Sequence, residues 1–335
     1  MYFFMSFRRL FSRSNTSAGA TATKARTTTK SASEQTQPVP RLSMALQAMV
    51  FHIGLRRDEI GPPSGGERKD IMRTLSIINL KGGVAKTISA INIAYTLASV
   101  HQKRVLLIDN DKQGNTSKFF GVHGYDRPGI SEVLTVKGYD IRSAIRSITS
   151  GKDSAPVALD VLPANMTLLR ANKEILLDCS WVQQTRLRKA LLPVAEAYDY
   201  CVIDNAPDLN MSVINALVAS DDVLIPIKID KFAFDGLDQL LEQVEEVRDF
   251  NAGITVQGCF ATMVQQNNVN TQGLSWLQNH AGVALLNTAI RKTVRVDEST
   301  FAGEPLAVYA GSSTGAKDYK ALTEEYLRKV ERKDP

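Results

Sequence analysis

Apolar residues in this chain alternate between short unbroken runs and longer segments with helical spacing. The unbroken runs lie within Leu75–Ile78, Arg104–Ile108, Tyr200–Ile203 and Asp222–Ile227. Runs of this kind are typical of strands that are buried on both faces of a parallel sheet. A helical pattern follows the first run, from Ile88 to Val100. The sequence therefore predicts an α/β fold in which helices flank a mostly parallel, twisted sheet.

Two further segments are amphipathic at helical spacing, residues 235–250 and residues 317–331. The last segment carries Tyr319, Leu322, Tyr326, Leu327 and Val330 on one face. Because glutamates dilute its basic charge, we expect it to pack on the protein's own core and not on a membrane. The earlier segment has an acidic outer face, which indicates either a solvated surface or a docking site for a basic partner segment.

A phosphate-binding loop occupies residues 80–87, between the first predicted strand and the first predicted helix. Its small residues let backbone N–H groups surround a phosphate, and the helix N-terminus adds partial positive charge. Lys86 is expected to contact the β and γ phosphates, and the Thr87 hydroxyl to ligate Mg²⁺. The expected nucleotide contacts are Lys81, Gly82, Gly83, Val84, Ala85, Lys86, Thr87 and Ile88. Only Lys81 has no role in an ordinary loop of this type.

Carboxylates follow two of the other predicted strands. Asp109 and Asp111 end the strand after Arg104, and Asp204 ends the strand after Tyr200. In an open α/β sheet, ligands bind at the carboxyl ends of the strands. Phosphoryl transfer needs positioning and charge neutralisation, which lysines, Mg²⁺ and a carboxylate that directs water can supply.

The loop with its extra lysine resembles the deviant Walker A motif of the ParA/MinD family of dimerising ATPases. Residues 109–115 resemble the family's D-x-D-P-Q-G-N motif, with Lys112 in place of proline, and residues 200–207 resemble its Walker B motif. Residues 232–237 and 290–299 are similar to its F-A-L-E-G-L and I-P-R-N-V-R-L-S-E-A segments. The resemblance covers about residues 72–331 and favours the chromosome and plasmid partition branch.

This resemblance implies a role for each site residue, with ATP and Mg²⁺ as cofactors. Lys81 would reach the nucleotide held by a second copy, Asp111 would direct the attacking water, and Asp204 would hold Mg²⁺ through its water shell. Asp109 would support Thr87 and the metal, so the metal group is Thr87, Asp109 and Asp204. Met263 would belong to the adenine pocket, although the polar run after it departs from the family pattern. Lys112 would either pair with Asp111 or point into solvent.

One position of the loop departs from the family pattern, because Ala85 stands where glycine is usual. Alanine would cost about 1 kcal/mol if the backbone there had a positive φ. We expect an ordinary φ.

The resemblance also implies partners. An ATP-bound homodimer would bind DNA without sequence preference, and a ParB-like protein would stimulate hydrolysis. The expected DNA-binding residues are Arg291, Lys292, Arg295, Lys317 and Lys320, with Arg328 and Lys329 nearby. The chain would then be cytoplasmic and associated with the nucleoid. Two alternatives remain: a MinD-like ATPase acting at a membrane, and a nucleotide-gated DNA-binding regulator with negligible turnover.

The charge is concentrated at the start of the chain. Residues 1–71 hold 11 Lys/Arg against 5 Asp/Glu, whereas the remaining residues hold 29 against 30. We expect residues 1–71 to be a basic, Ser/Thr-rich leader, either disordered or a mis-annotated start with Met72 as the true one, and residues 72–335 to be the ATPase domain. No apolar run is long enough to span a membrane. Cys179, Cys201 and Cys259 are expected to be buried thiols.

Overall fold

Seven strands of the computed structural model form one sheet, in the order β3-β4-β2-β5-β1-β6-β7. The structure describes residues 72–148, 157–230, 236–280 and 282–331, so predictions on residues 1–71 and 231–235 lie outside it. The strands are β1 (Arg73–Ile77), β2 (Val105–Asn110), β3 (Arg146–Ser147), β4 (Leu159–Leu162), β5 (Tyr200–Asn205), β6 (Asp222–Lys228) and β7 (Thr255–Thr262). All neighbouring strands pair in parallel except β3 and β4. The predicted α/β fold class is confirmed.

Helices cover both faces of this sheet. Among the described residues they are α1 (Lys86–Ser99), α2 (Asn115–Phe119), α3 (Ile130–Thr135), α4 (Thr167–Leu177), α5 (Arg186–Leu191), α6 (Met211–Ala219), α7 (Leu237–Val247), α8 (Asn268–His280), α9 (Val294–Ala302), α10 (Leu306–Tyr309) and α11 (Thr314–Glu331), with 3₁₀ turns at Ile141–Ser143 and Leu192–Val194. Alternate residues of β2 point into opposite layers: Leu107 packs with α1 and α11, and Leu106 packs with α3 to α6. This period-two alternation explains why the buried strands are apolar throughout.

The last helix packs on the core, as the amphipathic pattern predicts. Tyr319, Leu322, Tyr326 and Val330 are each at most 1% exposed and lie in the same apolar cluster as α1. At the amino end of β6, Asp222 accepts hydrogen bonds from Arg73, Gln257 and Tyr326. This carboxylate ties the start of β1 and β6 to the last helix.

The predicted acidic outer face of residues 235–250 is also confirmed where the structure describes it. The buried side of α7 holds Leu237, Leu240, Val244 and Val247, and Leu241 is half-buried. The acidic side chains on its other side, Asp238, Glu242, Glu245, Glu246 and Asp249, are exposed.

The two margins of the sheet leave little backbone open to strand pairing. On one side, the two-residue β3 runs antiparallel to β4. On the other, residues 284–292 continue the hydrogen bonding beyond β7: Cys259 N–H donates to Ala284 O at 2.8 Å and Val264 N–H to Ile290 O at 2.9 Å. The β7 margin is therefore largely paired, and the other margin ends in a strand of only two residues.

Cysteine burial only partly follows the prediction. Cys201 and Cys259 are buried and Cys179 is exposed, and all three are free thiols. The expectation of burial is wrong for Cys179, because it follows the end of α4 on the protein surface. No described helix has the length and apolar character needed to cross a membrane.

Candidate nucleotide-binding site

The predicted phosphate loop joins β1 to α1 at the carboxyl end of the sheet. Ideal Cβ atoms built on Gly82 and Gly83 would meet nothing within 4 Å, so the backbone here faces open space. Gly83 and Ala85 both have left-handed backbones, with φ of 69° and 68°. The expectation of an ordinary φ at Ala85 is therefore wrong. The chain turns sharply into α1 at this residue, and alanine in this conformation costs about 1 kcal/mol relative to glycine.

A cavity of about 1060 Å³ opens in front of this loop. It brings together most of the predicted nucleotide contacts: its lining includes Gly82, Gly83, Ala85, Lys86, Thr87, Ile88, Asp111 and Met263. Lys81 and Val84 are not among the lining residues. Val84 is 2% exposed, and its carbonyl accepts a hydrogen bond from the Thr262 hydroxyl at 3.2 Å. That bond fixes the loop against the end of β7.

Lys86 is nearly buried, with 8% exposure, and its Nζ donates to the Lys81 carbonyl at 2.8 Å. Burial lowers the pKa of Lys86, and the charges of Asp204, Asp111 and Asp208 oppose this effect. The amine is thus held across the loop in a dry, acidic environment. Within the described residues this amine has no ion pair, so an incoming phosphate would provide a strong anionic partner.

The Lys81 side chain lies on a different side of the loop. Its Nζ forms an ion pair with Asp230, just after β6. The Lys81 backbone N–H donates to Asn79 Oδ1 at 2.8 Å. In this single chain the extra lysine is therefore bound to its own subunit, close to the phosphate loop.

Two buried carboxylates lie side by side below the loop, because β2 and β5 pair Asp109 with Asp204. The Thr116 hydroxyl donates to Asp204 Oδ2 at 2.8 Å, while Asp204 Oδ1 is buried without a hydrogen-bond partner in the described part of the chain. Burial raises the pKa of Asp204, and the Thr116 and Thr87 side chains oppose that rise. An unsatisfied carboxylate oxygen next to Thr87 fits a hydrated cation.

Asp109 hydrogen-bonds mainly to Ser117, whereas the family pattern implies that it supports Thr87. Its Oδ2 accepts from the Ser117 backbone N–H at 2.8 Å and from Ser117 Oγ at 2.6 Å. Burial first, and the neighbouring Asp204 charge second, raise its pKa. Asp109 thus anchors the start of α2, and any support that it gives Thr87 remains a proposal.

Sequence reasoning missed Thr116 and Ser117, which bind the two buried acids. Their signal was present, because two adjacent hydroxyls directly follow the Q-G-N end of the second motif. Gly114, just before them, has a φ of 63°, and a Cβ there would meet the Ala164 carbonyl oxygen at 2.7 Å. Glycine is therefore required at that turn.

Asp111 lines the cavity, and its Oδ1 accepts the Gln113 backbone N–H at 2.9 Å. Its neighbour Lys112 takes neither of the two predicted positions. Instead, Lys112 Nζ lies 3.1 Å from Asp208 Oδ2, in the loop after β5. Side chains 96 residues apart meet here, so no local pattern could reveal the pair.

Met263 lines the opposite part of the cavity and has a φ of 54°. A positive φ is uncommon for a side chain of this size and often marks a functional turn. The polar run that follows it leads into α8, which begins at Asn268. Met263 thus lines the same cavity as the phosphate loop, and its contact with an adenine base stays a prediction.

The predicted DNA-binding residues lie outside the cavity, and three of them have internal partners: Arg291, Arg295 and Lys320, whose Nζ lies 4.0 Å from Glu324 Oε1. Arg291 binds Asp318 of α11 through Nη2 at 2.6 Å and Nε at 2.9 Å. Arg295 pairs with Glu298 at 2.7 Å, one turn along α9. Lys292, Lys317 and Lys320 are exposed. Because Asp318, Glu298 and Glu324 pair with Arg291, Arg295 and Lys320, the exposed Lys292 and Lys317 are the stronger candidates for phosphate contacts.

Known proteins resemble this chain over most of its length. Residues 72–256 match a family described as an AAA domain. The chromosome partitioning protein ParA of Caulobacter vibrioides is 34% identical over 76% of this chain and 94% of its own length. The chain belongs to the ParA family of P-loop ATPases. The similarity to the Caulobacter ParA therefore covers more of the chain than the matched family domain at residues 72–256.

Solved structures have the same fold as this ParA-family chain. One, described as a plasmid partition protein from Borrelia burgdorferi B31 bound to AMPPNP, has a TM-score of 0.65 and 25% identity, covering 77% of this chain and 99% of its own. Another, a cobyrinic acid a,c-diamide synthase from Mycobacterium smegmatis with an ATP analogue and magnesium, has the same TM-score and identity over 78% of this chain and 96% of its own. The phosphate loop and acids described above belong to this nucleotide-binding fold.

Proposed function

We propose that this ParA-family protein is a DNA partition ATPase that dimerises around ATP and Mg²⁺. The ATP-bound dimer binds DNA without sequence preference, and hydrolysis stimulated by a ParB-like partner releases it. The observation that carries the proposal is the convergence of Lys86, Thr87 and Asp111 on one cavity, with Asp204 directly below. These groups provide the positive charge, the metal position and the water-directing carboxylate that phosphoryl transfer requires.

The site residues fit Mg²⁺. Thr87 and the unsatisfied oxygen of Asp204 would hold it, and bound Mg²⁺ would neutralise charge on the β and γ phosphates. No group of three or more His, Cys, Asp and Glu side chains in the described ranges could hold a metal. Few protein ligands suit Mg²⁺, because this ion retains water and phosphate oxygens in its coordination shell.

Hydrolysis would depend on Asp111, Lys86 and the loop backbone. Asp111 would orient the attacking water within the cavity. Lys86 and the backbone N–H groups of Gly82 and Gly83 would stabilise the negative charge of the transferred phosphoryl group. Excluding bulk water would strengthen each of these contacts.

Dimerisation would require Lys81 to exchange partners. Its amine now pairs with Asp230 of the same subunit. In the dimer it would contact the triphosphate of the second subunit, a more highly charged anion, and thereby link nucleotide to assembly.

Gel filtration with ATP and Mg²⁺ tests this reaction cycle. We expect Asp111→Ala to accumulate as a dimer, because ATP is bound but not hydrolysed, and Lys81→Ala to remain monomeric. Wild-type protein should return to monomer as ATP is consumed. Identical elution of both variants and wild type would exclude the proposed cycle.

DNA retention tests the basic surface separately. Lys292→Glu/Lys317→Glu should abolish ATP-dependent retention on immobilised DNA while ATP binding survives, and retention by wild type should weaken with added salt. These lysines are preferable to Arg291, whose replacement by glutamate would place two carboxylates together at Asp318. Lys173→Glu, an exposed charge change on α4, is the matched control. Unchanged retention by the double variant would eliminate this surface.

The structure gives no support to the membrane alternative. A membrane-binding α11 would need a free apolar face, but Tyr319, Leu322 and Tyr326 are buried in the core. Flotation with anionic vesicles and ATP should therefore leave the protein in the lipid-free fraction.

A further inference from the structure

The ion pair between Lys112 and Asp208 connects two loops of the candidate site. Lys112 follows β2 and Asp208 follows β5, and these strands are neighbours that pair through Asn110 and Asn205. The side chains are 29% and 46% exposed, so the pair lies at the rim of the site. Pro207, next to Asp208, lines the same cavity as Asp111, next to Lys112.

Each end of this ion pair is held by further contacts. Asp208 Oδ1 accepts from Asn210 Nδ2 at 2.9 Å. Asn210 also caps α6, because its side chain accepts the Val213 N–H at 3.0 Å. At the other end, Lys112 lies within the turn that Asp111 closes with Gln113 and Gly114. A continuous series of contacts therefore runs from the N-terminus of α6 to the turn that carries Asp111.

The charges of the two side chains also matter to a triphosphate. Asp208 is close enough to act on Lys86, whose amine faces the phosphate position. A lone carboxylate at this rim would repel the γ phosphate, and a lysine that neutralises it removes the repulsion. Proline at residue 112, as in the D-x-D-P-Q-G-N pattern, could not do this.

We propose that Lys112 is a positioning residue, which with Asp208 fixes the Asp111 turn and keeps the rim of the phosphate site electrically neutral. The proposal rests on the proposed ATPase function. Lys112 acts through Asp111 and Asp208 and does not itself touch the reacting atoms. Lys112 and Asp208, which belong to neither the phosphate loop nor the metal group, thereby each have a role at the site.

A double-mutant cycle tests the pair as a unit, with kcat and KM for ATP measured in the presence of DNA. Lys112→Ala should raise KM about twofold to fivefold, because Asp208 is left unpaired. Asp208→Asn should lower kcat about twofold to fivefold, with KM unchanged or lower. The swap Lys112→Asp/Asp208→Lys should recover much of both losses. Added salt should shrink the KM difference.

Arg104→Ala is the matched control, since Arg104 and Asp199 form another half-exposed pair at the far end of β2. It should leave kcat and KM unchanged. If wild type turns over ATP but the effects of Lys112→Ala and Asp208→Asn are additive in the double variant, or neither substitution has an effect, the positioning role of Lys112 is overturned and the ATPase function stands. A wild type that neither binds nor hydrolyses ATP would instead refute the proposed function, and with it the positioning role of Lys112.

Discussion

Two buried aspartates at opposite ends of the sheet have very different surroundings. Asp222, at the amino end of β6, is 0% exposed and receives donors from Arg73, Gln257 and Tyr326, the last at 2.7 Å. Asp204, at the carboxyl end of β5, is 1% exposed, and one of its oxygens has no hydrogen-bond partner among the described residues. A satisfied buried carboxylate stabilises the fold, whereas an unsatisfied one costs free energy unless a ligand pairs with it.

The comparison predicts its largest effect at Asp222. Asp222→Ala would leave Arg73 and Tyr326 without their partner, so unfolding in urea should show a loss of about 3–5 kcal/mol. Tyr326→Phe, which removes one donor only, should cost about 1 kcal/mol. Nucleotide affinity of the folded fraction should not change in either variant. A small loss for Asp222→Ala would mean that this end of the sheet is not anchored by the carboxylate.

Replacing Asp204 is expected to change the free energy of unfolding in the opposite direction. Asp204→Asn should raise the free energy of unfolding of the nucleotide-free protein by about 1–2 kcal/mol at pH 8, because it removes a buried charge whose pKa is raised by burial. The same variant should bind ATP with Mg²⁺ at least about tenfold more weakly. Isothermal titration and urea unfolding measure the two effects. Lower stability together with unchanged Mg²⁺ dependence would refute the contrast with Asp222.

The gain from Asp204→Asn should depend on pH. A carboxyl whose pKa is raised in the folded state is neutral in both states below the unfolded pKa of about 4, so it costs nothing there. The cost appears as pH rises through the raised folded value. The difference in unfolding free energy between variant and wild type should thus be near zero at pH 4 and largest near pH 8. A constant difference across this range would show that the charge is not its cause.

The smallest effect concerns the backbone of the phosphate loop. Ala85→Gly should stabilise the protein by about 1 kcal/mol, because φ at this residue is 68°. Thermal unfolding should shift upward by a few degrees. Ala90→Gly, within α1, is the control and should be destabilising. An unchanged or lower melting temperature for Ala85→Gly would mean that the left-handed turn is not strained.

Local patterns in the sequence predicted the elements of this site but not their connections. The phosphate loop and the acids at strand ends follow from short motifs, and the docking of α11 follows from helical spacing. The Lys112–Asp208, Arg291–Asp318 and Arg73–Asp222 pairs join residues that are far apart in the chain. Such pairs depend on strand order and loop direction, which periodicity does not encode.

The φ of Ala85 illustrates a different limit. A methyl group gives no sign of its backbone conformation, and the expectation of an ordinary φ relied on side-chain size alone. The entry of the loop into α1 decided the conformation. The residue type therefore indicated how much a left-handed backbone would cost at this position, but not whether the backbone was left-handed.

The edges of the sheet, one a two-residue strand and the other already paired, restrict how copies of this protein can associate. A neighbouring copy could extend the sheet only by pairing with the two-residue β3 or by displacing residues 284–292, which already bond to β7. Open-ended stacking into fibrils by strand addition is thereby discouraged. Self-assembly is left to side-chain surfaces, which a bound ligand can switch on and off.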